Sequence, residues 1–199
     1  MASYLANLKK EAARRGLEPR SKKSIQWFRK RLQNLKTINR KELLGDDALE
    51  KRSKVILGKM FMFRYEAKHK ETLPYYDRFP LIFMVGPAPK GFHGVNLHYL
   101  PPTLRAVFFD KLMSVANNDK FNATTKLKLS YDILSGATKF REFQPCFKRY
   151  ITSHMRSQPI FVPASEWETV LFLPSDSFIG AKRDVVWKES RKIIRGYAQ

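Results

Sequence analysis

Glu66-Ala67-Lys68 has the acidic-x-Lys form of metal-dependent nucleases, in which carboxylates hold Mg²⁺ and the lysine orients the attacking water. That chemistry needs a second carboxylate from an adjacent strand, and Asp77 and Asp47 are the nearby offers. Charged chains of this size often contain such a triplet by chance, so a nuclease stands behind two other readings developed below. His69, His93, His98 and His154 are the histidines. His93 and His98 lie five apart on one expected strand and so face opposite sides of a sheet, which reads as ordinary packed or surface histidines. "GPAPKG" (86–91) lacks the G-x-x-x-x-G-K-[ST] spacing of a phosphate loop and reads as a hairpin turn. No G-x-S-x-G elbow occurs, and Cys146 falls in an apolar pattern that suits a core. No catalytic residue, metal site or cofactor is expected.

A second constellation is basic and aromatic. If "SKKSIQWFRKRLQNLK" (21–36) is helical, Ile25, Phe28, Leu32 and Leu35 form one stripe, surrounded by Lys22, Lys23, Arg29, Lys30, Arg31 and Lys36. Trp27 lies about 100° off that stripe and is expected as a surface ring. Near the C-terminus, Trp187 sits among Lys182, Arg183, Lys188, Arg191 and Lys192. Cations spread broadly around helices suit contacts to a phosphate backbone, which carry no base-specific information.

The whole chain points the same way. Its 199 residues carry 38 Lys and Arg against 18 Asp and Glu, a net charge of +20. Such an imbalance speaks of partners rather than fold: nucleic acid first, then an anionic membrane, then an acidic protein surface. Hydrophobic residues make up 43% of the chain, with 15 Phe, which supports a folded core. No apolar run reaches the ~18 residues of a membrane span. The start, "MASYLANLKKEAARR", has no apolar signal core, and a single cysteine fits synthesis in a reducing cytoplasm.

These residues are positioned by elements of two kinds. Residues 1–58 read as a basic helical arm, and residues 59–199 as a compact α+β domain expected to fold without it. Residues 1–59 hold 17 basic and 6 acidic side chains, over half of the excess charge. Tyr4, Leu5, Leu8 and Ala12 share a face of a first helix that Gly16 and Pro19 stop. A second helix is capped by Ser21 or Ser24 and runs to about Leu35. Shorter helices are expected at 41–44 and 46–55. The period then changes to two: Met60, Met62 and Arg64 alternate with Phe61, Phe63 and Tyr65 over a strand at 59–67. "FPLIFMV" (79–85) and "GFHGVNLHYL" (91–100) form a hairpin (79–100), completing a three-stranded antiparallel sheet. Pro101-Pro102 opens a helix on Leu104, Val107, Phe108, Leu112 and Val115. Further helices are expected around Leu127, Tyr131 and Leu134, and around Phe147, Tyr150, Ile151 and Met155. "PIFVP" is expected to be extended, "SEWETVLF" to be a helix with a Ser165/Glu168 capping box, and the end to be an amphipathic helix on Val186, Ser190 and Ile193/Ile194.

The block "TLPYYDRFPLIFMVGPAPKGFHGVNLHYLPPTLRAVFFDKL" (72–112), with "KFREFQPCFKRYITSH" and "EWETVLFLPSDSF", resembles virion-associated structural proteins of T4-like tailed phages over roughly residues 57–190. The likeness is to the DNA-end-protector or head-completion class, or to a tail baseplate component, and it carries over no catalytic residues. It implies a protein of the virion, made in the host cytoplasm, whose partners are double-stranded DNA and other virion subunits, with no membrane and no small-molecule substrate. Charge and resemblance together imply non-specific duplex binding through phosphate at the genome end or head–tail passage. The binding set is Lys22, Lys23, Trp27, Arg29, Lys30, Arg31, Lys182, Arg183, Lys188, Arg191 and Lys192. The main alternative is a tail or baseplate assembly protein whose arm docks on acidic subunits.

Overall fold

Alternating side chains around residue 61 organise the centre of the molecule. Met60 and Met62 of β1 (Met60–Met62) join one buried cluster, while Phe61, Phe63 and Tyr65 join another on the opposite face. Both faces of this sheet are therefore covered, which explains the unbroken apolar run that follows. The computed structural model describes residues 4–19, 21–33, 35, 39–45, 49–116, 120, 132 and 141–196.

β1 pairs antiparallel with β3 (Leu81–Ala88) on one side and β6 (Ile160–Val162) on the other. β3 continues to β4 (Gly91–Asn96), and β4 to β5 (Phe147–Ile151), giving the order β5-β4-β3-β1-β6. The expected three strands are thus the middle of a five-stranded sheet. A small second sheet pairs β2 (Tyr76–Asp77) with β7 (Phe178–Ile179). The class is α+β, as expected. The hairpin turns at Pro89 and Lys90, the latter with φ +59°. At Gly91 there is no room for a side chain, because a Cβ would fall 1.8 Å from the Tyr150 carbonyl oxygen on β5.

Helices cover the methionine face. α1 (Tyr4–Arg14) ends at Gly16, whose φ of +64° suits the left-handed stop. α2 (Lys22–Gln33) is capped by Ser21, whose hydroxyl accepts from the Ser24 amide at 3.1 Å. Leu8 and Ala12 of α1, and Ile25, Phe28 and Leu32 of α2, are buried in the same cluster as Met60, Leu81, Phe83 and Val170. The Ser24 hydroxyl donates to Glu168 at 2.9 Å in a buried contact, and Lys9 pairs with Glu166. The stripe of the N-terminal segment is a wall of the central core. α3 (Arg40–Gly45) follows, then α4 (Pro102–Ala116), which buries Phe108, Phe109 and Met113 but leaves Val107 exposed. The last elements are α5 (Trp167–Val170) and α6 (Arg183–Gly196), the latter burying Val186 and Ser190 as expected.

Several expectations are corrected. Residues 147–151 are a strand rather than a helix, because β4 offers them an edge and Tyr150 pairs opposite Phe92. The Ser165/Glu168 capping box does not form. Helix α5 begins after a 3₁₀ turn at Ala164–Glu166, and Glu168 is turned inward to Ser24. His98 is not on the strand with His93; it lies in a 3₁₀ turn, Leu97–Tyr99. Residues 49–55 form no helix, and Lys51 bridges Ile160 beside β6. The expected helix around Leu127, Tyr131 and Leu134 lies outside the described residues, as does Asp47.

Candidate nucleic-acid interface

On α2 the stripe faces the core, which forces the cations outward. Lys22, Lys23 and Lys30 are exposed, and no ion pair engages them among the described residues. Lys23 and Lys30, seven apart, share one side. Arg29 is held differently. Its guanidinium pairs with Asp110 at 2.7 Å and lies 5.0 Å from the Phe172 ring centroid, tying α2 to α4. Arg31 reaches Glu11 of α1 at 3.5 Å but remains over half exposed. Arg29 therefore serves the fold first, whereas Arg31 stays mostly open to solvent.

The last helix presents a cleaner row. Lys188, Arg191 and Lys192 are exposed at spacings of three and four, and Lys182 is exposed just before the helix. Arg195 extends the same row by another turn, a continuation that the i, i+3, i+7 spacing carried and the candidate set omitted. The row spans about 10 Å at 1.5 Å per residue. A duplex carries one charge per ~1.7 Å of its axis, so several phosphates lie within reach. Arg183 instead approaches Asp176 at 3.7 Å.

The two tryptophans differ from a pair of free stacking rings. Trp27 is half-buried, edge-on to Phe28 at 4.9 Å, with Arg15 over its ring at 5.7 Å. Trp187 donates its indole N–H to the His98 carbonyl at 2.9 Å, and the buried Arg105 lies 5.5 Å from its ring. Arg105 also donates to the carbonyls of Leu100, His98 and Leu171, which fixes the turn between β4 and α4. Burial lowers the Arg105 pKa to about 10.

Two acidic groups need separate accounts. Lys70 at 2.7 Å and Arg156 at 2.9 Å each hold one carboxylate oxygen of Glu66. The Lys70 hydrogen bond, then that of Arg156, lowers the Glu66 pKa to about 2. Asp77, its proposed partner in metal binding, is buried elsewhere. One Asp77 oxygen accepts from the Phe79 and Ser177 amides, and the other from Asn96 and from the His98 ring at 2.7 Å. Burial pushes the Asp77 carboxyl upward, but the attraction of His98 and these hydrogen bonds overcome it and hold the group below its usual range. The other His98 ring nitrogen meets the Ser175 hydroxyl at 3.0 Å. This Asp–His–Ser order matches that of acyl-transfer triads, yet Asp77, His98 and Ser175 are 3%, 0% and 0% exposed, so no substrate can reach the hydroxyl. The chain of bonds joins β2, β4 and the 173–177 loop. Among the described residues no group of three His, Cys, Asp or Glu side chains could hold a metal ion. Burial pushes the Cys146 thiol well above its usual range, away from the reactive thiolate.

Beside this network lies a cavity of about 380 Å³, walled by Tyr65, Tyr75, Tyr99 and Tyr150 with Lys148 and Arg149. Its lining comes from segments far apart in the chain, and no local motif announced it.

A small antiparallel sheet clad in helices, with rows of unpaired cations on α2 and α6, defines a strongly basic α+β protein that displays its charge on helix surfaces. The chain belongs to the phage T4 terminal DNA protecting protein family, whose model matches residues 1–193. The match bears out the resemblance to the DNA-end-protector class and extends it over the N-terminal helices. No curated protein and no solved structure matches the chain.

Proposed function

We propose that this protein occupies the end of a linear duplex genome in the virion, binding without sequence preference through phosphate contacts. The observation that carries the reading is the set of exposed, unpaired cations Lys22, Lys23, Lys30, Lys182, Lys188, Arg191 and Lys192. Family membership supports the terminus as the place where they act. Lysines on helix faces make mobile, non-directional contacts to phosphate and gain affinity by releasing condensed counterions. Protection by this route is occupancy, not chemistry: a bound subunit denies a nuclease the terminus, and the protein itself turns nothing over.

The test is digestion of a linear duplex by a processive exonuclease with saturating protein. The wild-type chain should protect the ends. Reversing charge together at Lys188, Arg191 and Lys192, all solvent-facing, should remove most protection while the thermal melt is unchanged. Full protection by that variant combined with Lys22→Glu, Lys23→Glu and Lys30→Glu would overturn the reading. It would favour docking on acidic virion subunits.

A further inference from the structure

We propose that the tyrosine-walled cavity is the seat of the DNA terminus itself, taking the unpaired last nucleotide of one strand. This rests on the reading of the protein as a DNA-end binder, and it adds a site that distinguishes an end from the middle of a duplex.

At about 380 Å³ the cavity falls within the range of small-ligand sites, roughly 300–1,000 Å³, and is far too small for a base pair with its backbones. Tyr75, half-buried, supplies an aromatic face on which any base can stack, so the site need not prefer a sequence, while the buried Tyr65, Tyr99 and Tyr150 wall the cavity around it. Two of the hydroxyls are fixed. Tyr65 accepts from the Ile151 amide at 3.2 Å and Tyr150 accepts from Asn96 at 3.1 Å, and each keeps a proton to donate. Burial raises the pKa of both, so those protons stay in place at neutral pH.

The cations complete the case. Lys148 lies 4.2 Å from the Tyr99 ring centroid, half-buried, with no carboxylate in ion-pair range among the described residues. Burial lowers its pKa, an unmet cost that a phosphate in the cavity would offset. Arg149 spends one donor on the Pro89 carbonyl at 2.7 Å and keeps others, while Lys68 and His69 stand exposed at the rim. Asp77 is the one acidic residue in the lining, and both its oxygens are already taken by donors of the network described above. Glu189, which lies between Lys188 and Arg191 on α6, is close enough to the Tyr75 hydroxyl to help burial raise its pKa. Cavity and cationic row are therefore neighbours, and a duplex along α6 can bring its end to the tyrosines. A paired, stacked base pays to leave the helix, and an unpaired terminal one pays least, so this pocket selects ends.

The experiment measures affinity of the full-length protein for one short duplex in two forms. One has 5′-phosphorylated single-stranded overhangs, and the other has both ends closed by hairpin loops; dAMP is the third probe. The open form should bind about tenfold more tightly, the worth of a stacked base with its phosphate. Lys148→Gln and Tyr75→Ala should each remove that gain and leave the closed-form affinity as it was. Lys68→Glu, at an exposed position that cannot disturb the core, should reduce the gain severalfold. Equal affinity for open and closed forms would overturn the pocket and leave the phosphate reading standing. Binding to the open form alone would support the pocket and contradict the phosphate reading. Variants that weaken both forms alike, or dAMP bound as tightly as the open duplex, would also overturn the proposal.

Discussion

Phe28→Ala asks whether the N-terminal helices belong to the main core or merely decorate it. Phe28 is 3% exposed and packs in the cluster that contains Met60, Phe83 and Val170. Truncation removes the ring and leaves a cavity, a loss of about 3–5 kcal/mol for a buried phenylalanine. The edge contact with Trp27 at 4.9 Å is lost as well. Domains hold only about 5–15 kcal/mol in total, so this one change removes about a fifth or more of the stability. For a chain of this length each kcal/mol moves the Tm by roughly 2–4 °C, so a drop of about 6–20 °C is expected by calorimetry or circular dichroism. Lys30→Glu, two residues on and exposed, is the control and should stay within about 0.5 kcal/mol. A Phe28→Ala drop under about 2 °C would refute the shared core and restore the picture of a detachable arm. The same packing sets the expectation for deletion of residues 1–56. Among the described residues the remainder loses five buried apolar side chains, and Glu168 is left without Ser24, so it should melt without a sharp transition.

Asp77→Ala should cost about 3–5 kcal/mol in a denaturant melt, because it leaves His98, Asn96 and two amides without their acceptor; a loss under 1 kcal/mol would contradict the network. Gly91→Ala should fail to give soluble folded protein or melt far lower, since its methyl would collide with the Tyr150 carbonyl; a wild-type melt would show that β4 and β5 separate freely. Glu66 should titrate near pH 2 by carboxyl NMR. Its folded pKa is depressed from 4.5 to about 2, so its contribution to stability is complete above pH 4.5 and fades as pH falls through 2. A normal carboxyl titration would remove the Lys70 and Arg156 contacts from the account.

What was legible in the sequence was periodicity. The alternation of Met60/Met62 against Phe61/Phe63/Tyr65 marked both faces of the sheet, and the spacing of Val186 and Ser190 marked the buried side of α6. The stripe Ile25/Phe28/Leu32 was visible too, but not what it packs on, because a stripe names a face and not a partner. The spacing of Phe147, Tyr150 and Ile151 read as helical, but residues 147–151 form a strand. The choice was made by β4, more than fifty residues earlier, whose edge takes them up. Glu168 matched a capping box three residues after Ser165, yet a buried hydroxyl on α2 offered it a better place. The tyrosine cavity and the Asp77–His98–Ser175 chain were out of reach for a related reason. Their members are ordinary residues in separate segments, and only the folded sheet brings them together.

The central claim, duplex binding by unpaired cations through phosphate, is tested most directly by the salt dependence of affinity for a closed-ended duplex. If about six phosphates are neutralised, log K should fall against log salt with a slope of roughly −5, equally for unrelated sequences. Reversing charge at Lys188, Arg191 and Lys192 should flatten that slope by about 3. A slope near zero, or tight binding confined to one sequence, would contradict the account.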